Sequence, residues 1–183
     1  MPKSSLFAAF ALALAGPAFG QAASPAPPAA PPPACTAPEH SQFDFWVGYW
    51  DVYPTGKDKL VAHSLIEKLY GGCTIRENWM PLSGNNGGSL NMYDPADKRW
   101  HQRWQDTQNS RAEFDGGMVK DKMVLIGFWR GVLGPGDAWI RMEYSRNADG
   151  SVRQHGLQSA DNGVTWQESF DFTYRKSASA PAK

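Results

Sequence analysis

The sequence predicts an all-β fold, an antiparallel up-and-down barrel of about ten strands. Three observations predict it. Short apolar stretches follow one another along the chain, separated by Gly, Asp, Asn and Pro clusters of hairpin length. Aromatic residues reach 13% and include eight tryptophans, beside 18 glycines, a pairing that suits many short strands joined by tight turns. No stretch shows the 3.6-residue period of a long amphipathic helix. Ten sequential strands close most simply into a barrel, which removes exposed edges.

The first strand is expected within residues 43–53, F-D-F-W-V-G-Y-W-D-V-Y, entered through a short turn. Aromatics fill six of these eleven positions, and Gly48 near the middle accepts a bend or a close neighbour. Strands are then expected at 60–70, ended by Gly71-Gly72, and at 73–80, ended by Pro81 and a Ser-Gly-Asn-Asn-Gly-Gly loop. The stretch 89–93 runs into the turn Asp94-Pro95-Ala96-Asp97, and 99–106, 112–115 and 122–129 follow. After a loop at 131–136 come 138–145, the turn Asn147-Ala148-Asp149-Gly150, then 152–159 and 164–175. The link before the last strand, Ser159-Ala160-Asp161-Asn162-Gly163-Val164-Thr165-Trp166, fits the Asp-box pattern S-x-D-x-G-x-T-W. In this box the Asp accepts turn hydrogen bonds, the Gly takes a left-handed backbone and the Trp packs beside the hairpin. The box occurs once here, so it reads as a hairpin fastener.

The termini lie outside this domain. Residues 1–20 read as a signal peptide: Lys3 supplies the positive end, 6–15 is an apolar run too short to span a bilayer, and Ala18-Phe19-Gly20 offers small residues for cleavage. Residues 21–38 read as a disordered Ala/Pro-rich spacer, which cannot bury enough apolar surface to order itself. The barrel domain is expected over 39–175 and a disordered tail over 176–183. The protein is therefore expected to be periplasmic or secreted, with no membrane insertion in the mature form. Cys35 and Cys73 are the only cysteines, and in an oxidising compartment a lone pair predicts one disulfide. It would tie the end of the spacer to the start of the third strand.

Charge is balanced, with 18 basic and 18 acidic residues, which argues against nucleic acid as a partner. A monomer or small homo-oligomer is expected. No phosphate loop, dinucleotide fingerprint or Gly-x-Ser-x-Gly elbow is present.

Several motifs carry a resemblance. Gly48-Tyr49-Trp50 is similar to the Gly-x-Trp signature on the first strand of lipocalins and their calycin relatives. The resemblance implies that Trp50 closes one end of the barrel, with an Arg from the last strand packed on it, for which Arg175 is the candidate. The longer series F-D-F-W-V-G-Y-W-D-V, Gly72-Cys73-Thr74-Ile75, Glu77-Asn78-Trp79, Ser89 to Pro95 and Trp100-His101-Gln102 resembles a family of secreted bacterial proteins of uncharacterised function. It covers most of residues 43–175 and implies a calycin-like barrel. It implies no catalytic residues.

Alternation along the strands indicates what faces inward. Trp166, Glu168, Phe170, Phe172 and Tyr174 share one face of the last strand. Ile75, Glu77 and Trp79 form a similar set, as do Trp100, Gln102 and Trp104. Each set places one polar group between large apolar ones. Buried carboxylates are costly unless partnered, and Arg76, Arg103, Arg141, water or a ligand are the candidates. The expected site is an aromatic-lined cavity for a small apolar or aromatic molecule, built from Trp50, Glu77, Trp79, Trp104 and Glu168. Two other readings stay open: an enzyme using buried Glu77 or Glu168 as general acid or base, and a filled barrel with a structural or interaction role in the cell envelope. No metal site is expected, because His40, His63, His101 and His155 lack the close spacing of a zinc motif. No cofactor is expected, with haem held by His101 or His155 as the alternative.

Overall fold

The computed structural model describes residues 35–133 and 136–178. The signal peptide expected at 1–20, most of the spacer at 21–38 and the last residues of the tail at 176–183 lie outside the described residues.

Ten antiparallel strands close into an up-and-down barrel, each strand pairing with its neighbours in sequence and β10 pairing with β1. They are β1 Gly48–Pro54, β2 Ala62–Leu69, β3 Thr74–Pro81, β4 Gly87–Asp94 and β5 Arg99–Asp106. They continue with β6 Arg111–Val119, β7 Lys122–Leu133, β8 Gly136–Arg146, β9 Val152–Ser159 and β10 Gln167–Lys176. Short turns follow from side chains placed to hold them. Asp94 Oδ1 accepts from the Ala96 N–H at 2.8 Å and Asp97 Oδ1 from the Arg99 N–H at 3.0 Å, closing the β4–β5 link. Asp106 serves the β5–β6 turn by accepting from the Gln108 and Ser110 N–H groups. The Asp box closes the β9–β10 link as expected. Asp161 accepts from the Thr165 N–H at 2.8 Å and from its hydroxyl at 2.6 Å, while Ser159 Oγ takes the Gly163 N–H at 2.7 Å. Led by the Thr165 hydroxyl, these donors hold the Asp161 carboxyl down at about 2.

The stretch 43–53 is only partly strand. Its first residues form a 3-10 turn, Asp44–Trp46, after a similar turn at Pro38–Ser41. Lys68 holds Asp44 at 2.6 Å, and the turn sends Phe43 and Trp46 into the end of the barrel, where both are fully buried. Local structure is thus present before the expected boundary at 39. Cys35 and Cys73 form a disulfide, with Cα atoms 5.0 Å apart, which pins Cys35 beside the start of β3. At the other terminus Lys176 belongs to β10 and the Ser177 N–H donates to the Tyr49 carbonyl, so the strand runs past 175. β6 extends through Gly116 and Gly117, which weaken the sequence signal of a strand without ending it here. Val164, Thr165 and Trp166 belong to the turn rather than to β10, and Trp166 is half-buried over it.

The barrel interior divides into two halves. At the end where β1 begins, Phe43, Trp46, Trp50 and Trp100 fill the lumen, with Phe43 stacked on Trp46 at 4.9 Å. Trp50 donates its indole N–H to the Trp46 carbonyl at 2.8 Å, locking the turn to the first strand. The expected Arg175–Trp50 stack does not form. Lys176 lies over the Trp50 ring at 4.7 Å, while Arg175 lies over Tyr53 at 4.5 Å. Strand alternation decides this: Tyr174 is fully buried, so Arg175 points outward, and Lys176 takes the place over the indole. Gly48 makes that approach possible, since a Cβ there would stand 3.3 Å from the Trp50 ring and 3.1 Å from the Lys176 nitrogen.

Candidate functional site

The opposite half of the lumen is hollow. A cavity of about 210 Å³ is walled by Trp79, Trp104, Phe114, Trp129, Phe170 and Phe172, supplied by β3, β5, β6, β7 and β10. Most of these rings are only half-buried, so the cavity meets solvent at that end. They form a continuous aromatic wall: Trp104 and Trp129 have centroids 6.0 Å apart, Phe114 stands edge-on to Trp129 at 6.0 Å, and Trp79 approaches Phe172 at 5.8 Å. Phe170 leans inward over Gly156 of β9, where a Cβ would lie 2.3 Å from the ring. The indole N–H of Trp129 donates to Ser110 Oγ at 2.7 Å, whereas that of Trp104 is buried without a partner.

The floor is polar. Glu77, Gln102, Gln154, Tyr144 and Tyr174 meet there, and a hydrogen-bonded array joins them. Asn91 donates to the Ile75 carbonyl and to Ser89 Oγ, both at 3.0 Å, and Ser89 donates to Glu77 Oε2 at 2.9 Å. Gln102 donates to Asn91 Oδ1 at 2.7 Å. Gln154 donates to the Tyr144 hydroxyl at 2.9 Å and accepts from the Tyr174 hydroxyl at 2.5 Å. The rings of Tyr144 and Tyr174 also form the boundary with the filled half, Tyr144 lying 4.9 Å from Trp46 and Tyr174 6.5 Å from Trp50.

Glu77 is 6% exposed. Burial pushes its carboxyl up to about 7, against the lowering effect of the serine hydroxyls beside it. Of these, Ser89 makes the hydrogen bond; the Ser64 hydroxyl is buried nearby and has no partner of good geometry. The arginines considered as partners all face outward: Arg76 pairs with Glu67, Arg103 with Asp115, and Arg141 with Glu143. Burial also raises both tyrosines well above their ordinary range, with the Glu77 charge adding to it, so both stay protonated.

The sequence-predicted residues separate into three groups. Glu77, Trp79 and Trp104 meet at the cavity. Trp50 is inside the barrel but in the filled half, not in the cavity wall. Glu168 is outside: its side chain is 64% exposed and its carboxylate lies 3.3 Å from His155 Nε2. The cause is a bulge. Glu168 pairs with Leu157 and Phe170 with Gly156, leaving Ser169 as the extra residue. One inserted residue reverses the facing of everything before it, so Phe170 and Phe172 keep the inward face and Glu168 loses it. Any acid–base role for a buried carboxyl on this strand is removed with it.

Trp129, Phe114, Gln154 and Tyr144 belong to the site without having been singled out from the sequence. Their signal was present as alternation: Val152, Gln154 and Gly156 on β9, and Ala138, Ile140, Met142 and Tyr144 on β8, all face inward. His101 and His155 lie on the outer face, His101 held by Asp115 at 2.6 Å. On that wall, carboxylate and imidazole atoms of Asp94, Asp97 and His101 come within 4.8 Å of one another, as do those of His155, Glu168 and Asp171. In the second group Arg153 already spans Asp171, at 2.6 and 2.8 Å. Among the described residues no helix is long and apolar enough to cross a membrane. The chain matches no protein-family model, and no curated protein sequence matches it.

Proposed function

We propose that the protein is an exported binder of a small apolar or aromatic molecule, held in the cavity between the tryptophans. One observation carries this reading: one half of a closed barrel is packed solid while the other is left hollow, aromatic-walled and floored by a polar array. Ligand sites combine an apolar lining with a few fixed polar groups in this way. A volume of about 210 Å³ is below the usual range for drug-sized ligands, which points to a molecule of one or two fused rings. Export is supported by the signal-like leader and by the disulfide, since such bonds persist in oxidising compartments. The resemblance to secreted calycin-like proteins agrees with both parts.

Native mass spectrometry of the mature protein purified from its own compartment tests this directly. The expected result is a bound small molecule that is lost on substituting Trp129→Ala and Trp104→Ala. A protein that arrives empty and takes up no flat aromatic compound favours the envelope-structure reading instead.

A second reading is favoured by Glu77. A buried carboxyl held at about 7 in a solvent-connected cavity is suited to proton transfer near neutral pH. Turnover of the captured molecule that Glu77→Gln abolishes while binding persists would establish that reading.

A further inference from the structure

We propose that the cavity selects organic cations, taking a protonated amine on a small flat or apolar body, with the ammonium group on Glu77 and the body among the tryptophans. This rests on the reading of the cavity as a binding site and adds the charge class of its ligand.

Among the described residues the lining carries one carboxyl, Glu77, and no Lys, Arg or His. The other titratable groups facing it are Tyr144 from β8 and Tyr174 from β10, both neutral phenols. The flanking strands β2 and β4 offer Ser64, Ile66, Ser89 and Asn91, none of them charged. Arg76 and Arg103, on the strands nearest in sequence, are committed to acids on the outer wall.

Hydrogen-bond direction adds a second, independent argument. A backbone carbonyl only accepts, so the group of Asn91 facing the Ile75 carbonyl must be its amide nitrogen. That nitrogen also donates to Ser89 Oγ, which leaves the hydroxyl proton of Ser89 for Glu77 Oε2. Asn91 Oδ1 is then free to accept from Gln102, as it does. The array therefore delivers donors toward Glu77 and stabilises it as an acceptor. Glu77 Oε1 takes no hydrogen bond from a described residue, so the open valence on the floor is an anionic acceptor. Donors on the floor are used up internally: Tyr174 donates to Gln154, Gln154 to Tyr144, and Tyr144 to Met142 Sδ. The exceptions are the Ser64 hydroxyl, buried beside Glu77 without a partner of good geometry, and the Trp104 indole N–H, neutral donors that do not discriminate charge.

Above this anionic acceptor stand aromatic rings, and the quadrupole of such a ring attracts cations most strongly where water is excluded. An ammonium ion would satisfy the open oxygen and offset the cost of burying the carboxylate, which no protein cation does. A carboxylate ligand would meet repulsion from Glu77, and a neutral alcohol would gain the stacking and a hydrogen bond to the open oxygen but no ion pair.

The test is isothermal titration calorimetry with three isosteric probes: 2-naphthylmethylamine, 2-naphthylmethanol and 2-naphthoate. At about pH 8 the amine should bind at least about tenfold more tightly than the alcohol, and the naphthoate most weakly. The amine's advantage should shrink as pH falls below about 7, because the protonated Glu77 must then release its proton to take the ammonium. Binding of the amine near neutrality should accordingly release protons, seen as a dependence of the observed heat on buffer ionisation enthalpy. Glu77→Gln should abolish the advantage of the amine over the alcohol. The wild-type pH series stands as evidence even where that variant folds poorly. Equal affinity for amine and alcohol at every pH, or an advantage that survives in Glu77→Gln, overturns the cation proposal and leaves the binding site intact. Failure of all three probes to bind folded wild-type protein overturns the binding reading itself.

Discussion

The two ends of this barrel are built from the same residue types and do opposite things. At the closed end Phe43, Trp46 and Trp50 are fully buried, and a local turn brings the first two in from outside the strands. At the open end Trp79, Trp104 and Trp129 sit on the strands themselves and remain half-exposed around a void. Aromatic content alone therefore does not decide whether a barrel is filled. A plug must be delivered by a segment that leaves the strand direction, and only one end has such a segment among the described residues. Tyr144 and Tyr174 separate the halves, packing their rings against the plug and giving their hydroxyls to the cavity floor.

The largest test of this division is truncation of the plug. Trp46→Ala removes a fully buried indole that contacts Phe43, Tyr144 and Tyr174, and should cost about 3–5 kcal/mol in urea unfolding. Trp79→Ala, at the half-exposed wall, should cost about 1–2 kcal/mol, since less surface leaves water when it folds. Equal costs would mean that the open end is as solidly packed as the closed one. Cys35 and Cys73 hold the same plug from outside. Replacing both with Ser should lower stability by about 3–4 kcal/mol in the chain-entropy view, with the cavity unaffected.

Glu77 sharpens the comparison by pH. Its folded-state value of about 7 stands above the ordinary 4.5, so between these values the folded protein binds more protons than the unfolded chain. Stability is then highest below about pH 4.5 as far as this group is concerned, falls as pH rises, and levels off above about 7. The full loss is about 3 kcal/mol for a shift of this size. Glu77→Gln should flatten that part of the profile of denaturation midpoint against pH. An unchanged slope would place the titration elsewhere.

Much of this organisation was legible in the sequence. Strand number, order and closure follow from turn clusters whose Asp and Asn side chains hold their own loops, a local cause that needs no tertiary information. The disulfide was legible because two cysteines leave one pairing. Glu77, Trp79 and Trp104 were legible because β3 and β5 keep an unbroken alternation. Two things were hidden. A short turn into the first strand was expected, but not that it takes up Asp44–Trp46, whose aromatic pattern reads as strand and which Lys68 ties down at Asp44. The bulge at Ser169 carries no mark in composition, and it decides which way Glu168 faces.

A smaller effect probes the closed end's lid. Lys176→Ala removes the cation over Trp50 and should cost about 0.5–1 kcal/mol, with Trp50 emission shifted by the loss. Arg175→Ala affects half-buried Tyr53 instead and should leave that emission unchanged.

The smallest expected effect is the most discriminating, because it sets the two carboxylates of the original pattern against each other. Glu168 and Glu77 each sit at an alternating position in an aromatic strand, yet one is outside and the other inside. Glu168→Gln deletes a charge whose hydrogen-bond partner is His155, at 3.3 Å on the outer wall. Exposed pairs of this kind contribute between zero and about 1 kcal/mol, and a histidine partner contributes only when protonated. The substitution should therefore leave unfolding free energy and the affinity of any cavity ligand unchanged within error at neutral pH. Glu77→Gln in the same assays should alter both the pH profile and the binding of an amine. If Glu168→Gln weakened binding as strongly as Glu77→Gln, the bulge at Ser169 would have to be absent in solution, with the residues before it shifted by one and Glu168 turned into the lumen beside Phe170.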